Sequence, residues 1–149
     1  MVEQSKPIVF IVEDDPEDRL LLSFELEGSG LENGVHSFSN VGELIDFHNL
    51  QLHSGKGAAA SLPALILINA FLQKQDIRQV VIQVKSVEAM RPVPIVLMLG
   101  SPGEEEYLRQ YRLDVSGFII KPVTLQRLVQ LIGRWHPAPR ARKGKPSTP

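Results

Sequence analysis

Three consecutive carboxylates, Glu13, Asp14 and Asp15, close the first apolar run of the chain, and Lys121 followed by Pro122 closes the last. Between them, Asn69 ends a third apolar run, and Leu99, Gly100 and Ser101 end a fourth. Acids at one strand end with a lysine at another suggest a site for a hard divalent cation beside an anion. Each residue also has a plainer reading. Glu13 and Asp14 are then solvated acids, Asp15 is a helix cap, and Lys121 is a structural lysine paired with Glu13 or Asp14. Ser101 reads as a cap that reaches the site only if its loop bends. His36, His48, His53 and His136 show no metal-ligand spacing, and no Ser-His-Asp, Walker or dinucleotide signature is present. The pattern is not that of an enzyme.

These residues need a scaffold that brings strand ends together. Residues 7–13 hold a continuous apolar run, Ile8 to Val12, rich in β-branched residues, as in a strand buried on both faces (β1). Asp15 and Pro16 then open a helix (α1) as N-cap and first helical residue, with Leu20, Leu21, Phe24 and Leu31 as its inward stripe and Gly28 and Gly30 as its stop. A short strand at 34–38 (β2) precedes a helix capped by Asn40 that carries Val41, Leu44, Ile45, Phe47 and Leu50 (α2). A glycine- and alanine-rich loop over 51–62 leads to a strand at 64–68 (β3) and a helix at 76–88 (α3), with Ile77, Val80, Val81 and Val84 inward. After Arg91-Pro92-Val93-Pro94 come a strand at 95–99 (β4) and a helix carrying Tyr107, Leu108 and Tyr111 (α4), opened by a Ser101–Glu104 capping box. A strand at 117–120 (β5) and a helix at 124–135 with Leu125, Leu128, Val129, Ile132 and Trp135 (α5) complete the series.

Alternating strands and helices predict an α/β fold with a parallel sheet covered on both faces. Right-handed crossovers leave few topologies, and the flavodoxin-like, doubly wound order 2-1-3-4-5 with five helices is the common one at this size. Sites in such sheets form beyond the carboxyl ends of the strands, where Glu13, Asp14, Asn69, Leu99 and Lys121 would meet.

At these residues the chain resembles a response-regulator receiver domain of the CheY-like kind, over nearly all of residues 7–135. Ile11-Val12-Glu13-Asp14-Asp15-Pro16 resembles the family's acidic pair after β1, and Phe118-Ile119-Ile120-Lys121-Pro122 resembles its aromatic-x-x-Lys-Pro ending of β5. Tyr107-Leu108-Arg109-Gln110-Tyr111 and the neighbouring capping box are most similar to small stand-alone receivers that partner phytochrome-type histidine kinases. The resemblance implies a Mg2+ held by the acidic pair and a central aspartate, attack of that aspartate on a phosphohistidine, and a lysine that pairs with the phosphate. It also implies a hydroxyl after β4 and an aromatic on β5, at Phe118, that together switch the surface, and a cis Lys121–Pro122 bond.

The chain departs from that pattern where the chemistry is concentrated. Asn69 stands at the phosphoacceptor position and Leu99 at the hydroxyl position, while Gln73 and Ile77 replace the usual Pro and Gly of the β3–α3 loop. An amide has no anionic oxygen to attack phosphorus, and Leu99 offers a phosphate no hydroxyl. Two losses with an altered loop read as a naturally degenerate receiver rather than a single laboratory substitution. The expectation is a pseudo-receiver of two-component (phosphorelay) signalling that acts by protein–protein interaction. Its metal site is a remnant, with Glu13, Asp14 and the Asn69 carbonyl binding Mg2+ weakly and no cofactor required. Expected partners are a histidine kinase, another signalling protein, or a second copy through the α4–β5–α5 face. Two rivals are phosphorylation by an unusual route, through deamidated Asn69 or through Asp14 or Asp15, and a flavodoxin-like cofactor-binding protein. The acidic loop after β1 repels a cofactor phosphate and speaks against the latter.

Residues 136–149 carry Arg140, Arg142, Lys143 and Lys145, no acid, and four prolines. This segment is net +4, which leaves about −5 on residues 1–135 of a chain whose total is −1. The division is therefore a receiver domain at 1–135 and a basic, proline-rich tail at 136–149 that cannot pack a core. A solubilising end is the plainer reading of the tail, with nucleic acid an unfavoured partner. The chain has no cysteine, which excludes disulfides and thiolate metal sites. No stretch approaches the ~20 apolar residues of a membrane span. Residues 1–6 are polar and lack the apolar region of a signal peptide, so the expected location is the cytoplasm.

Overall fold

The apolar runs form strands at Val9–Val12 (β1), Val35–Phe38 (β2), Leu65–Asn69 (β3), Ile95–Leu99 (β4) and Gly117–Ile120 (β5). In the computed structural model, which describes residues 7–30, 34–53 and 62–135, they make one parallel sheet in the order β2-β1-β3-β4-β5. The expected topology is the one observed. The register pairs Val12 with Ile68, Asn69 with Met98 and Leu99 with Ile120, so the carboxyl ends of the inner strands finish level. The ladder runs on past them, with the Lys121 amide donating to the Leu99 carbonyl at 2.7 Å and the Glu13 amide to the Phe38 carbonyl at 2.9 Å.

Strand alternation divides the core into two layers. On one face Phe10, Val12, Ile66, Ile68, Ile95, Leu97 and Leu99 pack with Val41–Leu52 (α2), Ile77–Lys85 (α3) and Pro102–Arg109 (α4). On the other, Val9, Ile11, Leu65, Leu67, Val96, Met98 and Ile119 meet Pro16–Leu26 (α1) and Leu125–Trp135 (α5). Gly34, where β2 begins, sits so close to the Pro7 carbonyl that a side chain there would collide with it.

The helices follow the sequence signals with some corrections. In α3 all four expected residues are buried, although the helix ends at Lys85, with a separate 3-10 turn at Glu88–Met90 beyond it. In α1 the inward stripe is Leu22 and Leu26, whereas Leu20, Leu21 and Phe24 are 52%, 54% and 62% exposed. The Asp15 side chain accepts the Glu17 amide and starts the helix at Pro16, and this phase puts Asp18, Leu22 and Leu26 on the inner face. Leu31 lies outside the described residues. In α4 Ser101 is the N-cap residue but makes no side-chain cap bond, and the Glu104 side chain does not return to the Ser101 amide, so the capping box does not form. Glu104 instead accepts the Gly100 amide at 2.7 Å, satisfying the donor freed where β4 ends.

In α2 Leu50 is exposed, while His48 is fully buried. In α5 Leu128 and Ile132 are buried and Val129 is half exposed. The Lys121–Pro122 bond is cis, as the resemblance implied. Residues 136–149 lie outside the described residues. Among those described, no helix is long and apolar enough to cross a membrane.

Candidate functional site

Glu13 follows β1 directly and is fully buried among the strand ends. A buried carboxylate is costly unless it is paired and hydrogen-bonded. Its Oε2 accepts from Asn69 Nδ2 at 2.9 Å and from the Asp15 amide at 3.1 Å. Its Oε1 lies 2.7 Å from Lys121 Nζ, an ion pair rather than a well-aligned hydrogen bond. Lys121 Nζ also donates to Asp18 Oδ2 at 2.8 Å. Burial alone would push the Lys121 ammonium down. The hydrogen bond to Asp18 and the negative charges of Glu13 and Asp18 outweigh that and hold it above the ordinary lysine value.

Asp14 has a different partner. Its Oδ2 accepts the Gln73 amide at 2.8 Å, tying the end of β1 to the β3–α3 loop. Asn69 Oδ1 accepts the Phe71 amide at 3.3 Å, so both ends of the side-chain amide are engaged. The structure thus joins Glu13, Asn69 and Lys121 directly and ties Asp14 to the Gln73 amide instead. Lys121 has a carboxylate partner in Glu13, as its structural reading expected, but its second partner is Asp18 rather than Asp14. Asp18 was missed in the sequence because its significance depends on the phase of α1. Its signal was the Asp15 N-cap, which puts Asp18 on the same face as Leu22.

Leu99, at the end of β4, is fully buried and purely aliphatic. Phe118 on β5 is partly buried against the α2–α4 layer, with the Arg109 guanidinium 5.1 Å from its ring centroid. Tyr107 on α4 and Tyr111, which lies beyond the end of that helix at Arg109 rather than on it, join their hydroxyls at 2.9 Å.

The donor set for a divalent cation is thin. Among the described residues no group of three histidine, cysteine or acidic side chains gathers as a metal site. Glu13 and Asp14 are the nearby carboxylates, yet Glu13 is already bound by Lys121 and Asn69, and Asn69 presents its NH2 group to it. A cation held by Glu13, Asp14 and an Asn69 carbonyl would have to break that hydrogen bond first.

No family model matches the chain. Among curated proteins it is 28% identical over 125 residues to a probable methanogenesis regulatory protein, FilR2 of Methanothrix harundinacea, covering 84% of this chain and 78% of that one. Among solved structures it superposes on the bacteriophytochrome response regulator AtBRR with a TM-score of 0.70 and 27% identity, covering 95% of this chain and all of the other. The relatives and structural neighbours are response-regulator receivers, and the chain has their CheY-like fold. It is also 25% identical over 134 residues to the response regulator Rcp1 of Synechocystis, covering 89% of each chain. The Mn2+-bound form of Rcp1 shares this fold, with a TM-score of 0.57 at 23% identity over 90% of this chain and 97% of that one. The likeness is to receivers of two-component signal transduction.

Proposed function

We propose that this receiver signals through protein–protein contact without phosphorylation at position 69. The observation that carries the reading is the Asn69–Glu13 hydrogen bond at the end of β3, the phosphoacceptor position by resemblance. An amide there supplies no nucleophilic oxygen, and its NH2 satisfies Glu13 with no cation. Lys121, the phosphate-pairing position, is engaged by Glu13 and Asp18. Leu99 gives the switch position no hydroxyl to pull toward the site, and Phe118 is held by Arg109. Binding of Mg2+ at Glu13 and Asp14 is weak and not required.

The protein acts as a cytoplasmic signalling module rather than an enzyme. Its partner is a histidine kinase or another signalling protein, the class in which bacteriophytochrome response regulators support the reading. The α4–β5–α5 face considered for a homodimer offers Tyr107 and Val129, each half exposed. The outer face of α1 offers more, with Leu20, Leu21 and Phe24 grouped within two turns, and the partner contact belongs there.

Intact mass after incubation with acetyl phosphate and Mg2+ tests this, for the parent and for Asn69→Asp. The parent is expected to gain no phosphate, whereas Asn69→Asp gains one. Phosphate on the parent would overturn the reading and send the search to Asp14, Asp15 or deamidated Asn69.

A further inference from the structure

The folded part of the chain concentrates its negative charge on one helix. Asp14, Asp15, Glu17, Asp18, Glu25 and Glu27 stand against a single base, Arg19, so residues 14–27 alone carry net −5. The same helix turns Leu20, Leu21 and Phe24 to solvent. Beside it lies a cleft of about 440 Å3, apolar along Leu21, Leu22 and Val123, that reaches Glu25 and the Lys121 ion pairs with Glu13 and Asp18. Lys121 is neutralised there by its two carboxylates, so the surplus acids of residues 14–27 and the exposed apolar side chains of the helix fit a basic segment that also carries small apolar groups.

The chain supplies such a segment next door. Helix α5 packs beside α1 through Leu128 and Ile132 against Leu22 and Leu26, and Glu25 Oε2 accepts the Leu125 amide at 2.8 Å. Residues 136–149 follow α5 directly and carry four bases, four prolines and no acid. An extended proline-rich segment of this length reaches roughly 40 Å, more than twice the roughly 16 Å length of α1. Covalent attachment raises its effective concentration at the groove, so weak contacts suffice.

We propose that residues 136–149 lie along α1 of the same chain, with Arg140, Arg142, Lys143 and Lys145 on its carboxylates and Pro137 and Pro139 against Leu21 and Phe24. The tail then covers the apolar face until a partner displaces it. The docking stands apart from the signalling reading, and only the role of a cover for the partner surface rests on it.

The full chain tests this directly, because it has no cysteine and Ala141→Cys gives a unique site for a nitroxide label. Amides of residues 17–25 are expected to lose signal roughly twofold or more relative to the reduced label at low salt, and to recover in roughly 0.5 M salt. They are also expected to recover in Arg140→Glu/Lys143→Glu, and in Leu21→Ala/Phe24→Ala, whose side chains are exposed enough to be removed without loss of the fold. Uniform or absent broadening would overturn the proposal, as would broadening centred on α3 and α4. Broadening of equal strength between labelled and separately isotope-enriched molecules would place the tail on a second copy and reject docking within one chain. None of these readouts depends on a partner or on phosphorylation.

Discussion

Asn69 Nδ2 donates to Glu13 Oε2 across 2.9 Å, so that an amide and a buried carboxylate join the carboxyl ends of β3 and β1. An aspartate at position 69 would set a second anion against Glu13 in place of a donor. Asn69→Asp is therefore expected to lower stability by about 1–3 kcal/mol in a chelator, through repulsion and the lost hydrogen bond. Mg2+ should restore most of that loss in the variant and change the parent little. Urea unfolding with and without Mg2+ measures both. Equal stability of the two proteins in chelator would show that the hydrogen bond contributes nothing.

Lys121 holds Glu13 on one side and Asp18 on the other, and the two partners should not be equivalent. Glu13→Ala removes the buried acid and leaves the ammonium partly uncompensated, an expected loss of about 3–5 kcal/mol. Asp18 is partly exposed, so solvent weakens its pair and Asp18→Ala should cost about 1 kcal/mol or less. The raised folded pKa of Lys121 stabilises the protein at every pH below the ordinary lysine value. That contribution is lost as pH rises through the folded value. Alkaline unfolding should therefore begin at lower pH in Asp18→Ala than in the parent, and an unchanged alkaline midpoint would count against the pair.

His48 presents the opposite sign. It is fully buried in α2, and neither ring nitrogen finds a hydrogen-bond partner among the described residues. Burial lowers its pKa from the ordinary imidazole value. The unfolded chain thus takes up the proton first, so stability is complete above about pH 6.5 and falls as pH drops below it. His48→Leu should remove this part of the acid slope and raise neutral-pH stability by about 1 kcal/mol, since no polar atom is left unsatisfied. Thermal unfolding from pH 7.5 to 5 compares the two, and parallel curves would clear His48 of any part in the acid response.

The phase of α1 separates folding from contact. Leu26→Ala should cost about 2–4 kcal/mol, because Leu26 is 2% exposed in the α1–α5 layer. Phe24→Ala should change stability by no more than about 0.5 kcal/mol. The order reverses in a partner pull-down or titration, where Leu21→Ala/Phe24→Ala should weaken binding about tenfold, the scale of a truncated hot spot. Undiminished binding by that double variant would move the contact to the α4–β5–α5 face.

Much of the architecture was legible in the residue order, because a parallel sheet buried on both faces demands apolar strands and leaves few ways to connect them. The runs at Val9–Val12, Leu65–Asn69 and Ile95–Leu99 admit little else, and the ends of the first two, with that of Gly117–Ile120, located Glu13, Asn69 and Lys121 on one edge. Helix α3 was readable to the residue face because Ile77, Val80, Val81 and Val84 form a single clean stripe. Helix α1 was not, because Leu20, Leu21, Leu22, Phe24 and Leu26 leave little polar contrast by which to choose a face.

The sequence by itself determined the chemistry that position 69 can perform, since no fold gives an amide an anionic oxygen. It also determined the absence of a hydroxyl at Leu99 and the opposite charges of the folded part and the tail. Only the tertiary structure decided how the acids are shared. Neighbours in sequence, Glu13 and Asp14 part at the end of β1, one buried against Asn69 and Lys121, the other turned to the Gln73 amide. Asp18, 103 residues from Lys121 in sequence, becomes its ion-pair partner. Strand register and helix phase set these distances, and both are fixed by packing across the whole sheet rather than by the residues that meet.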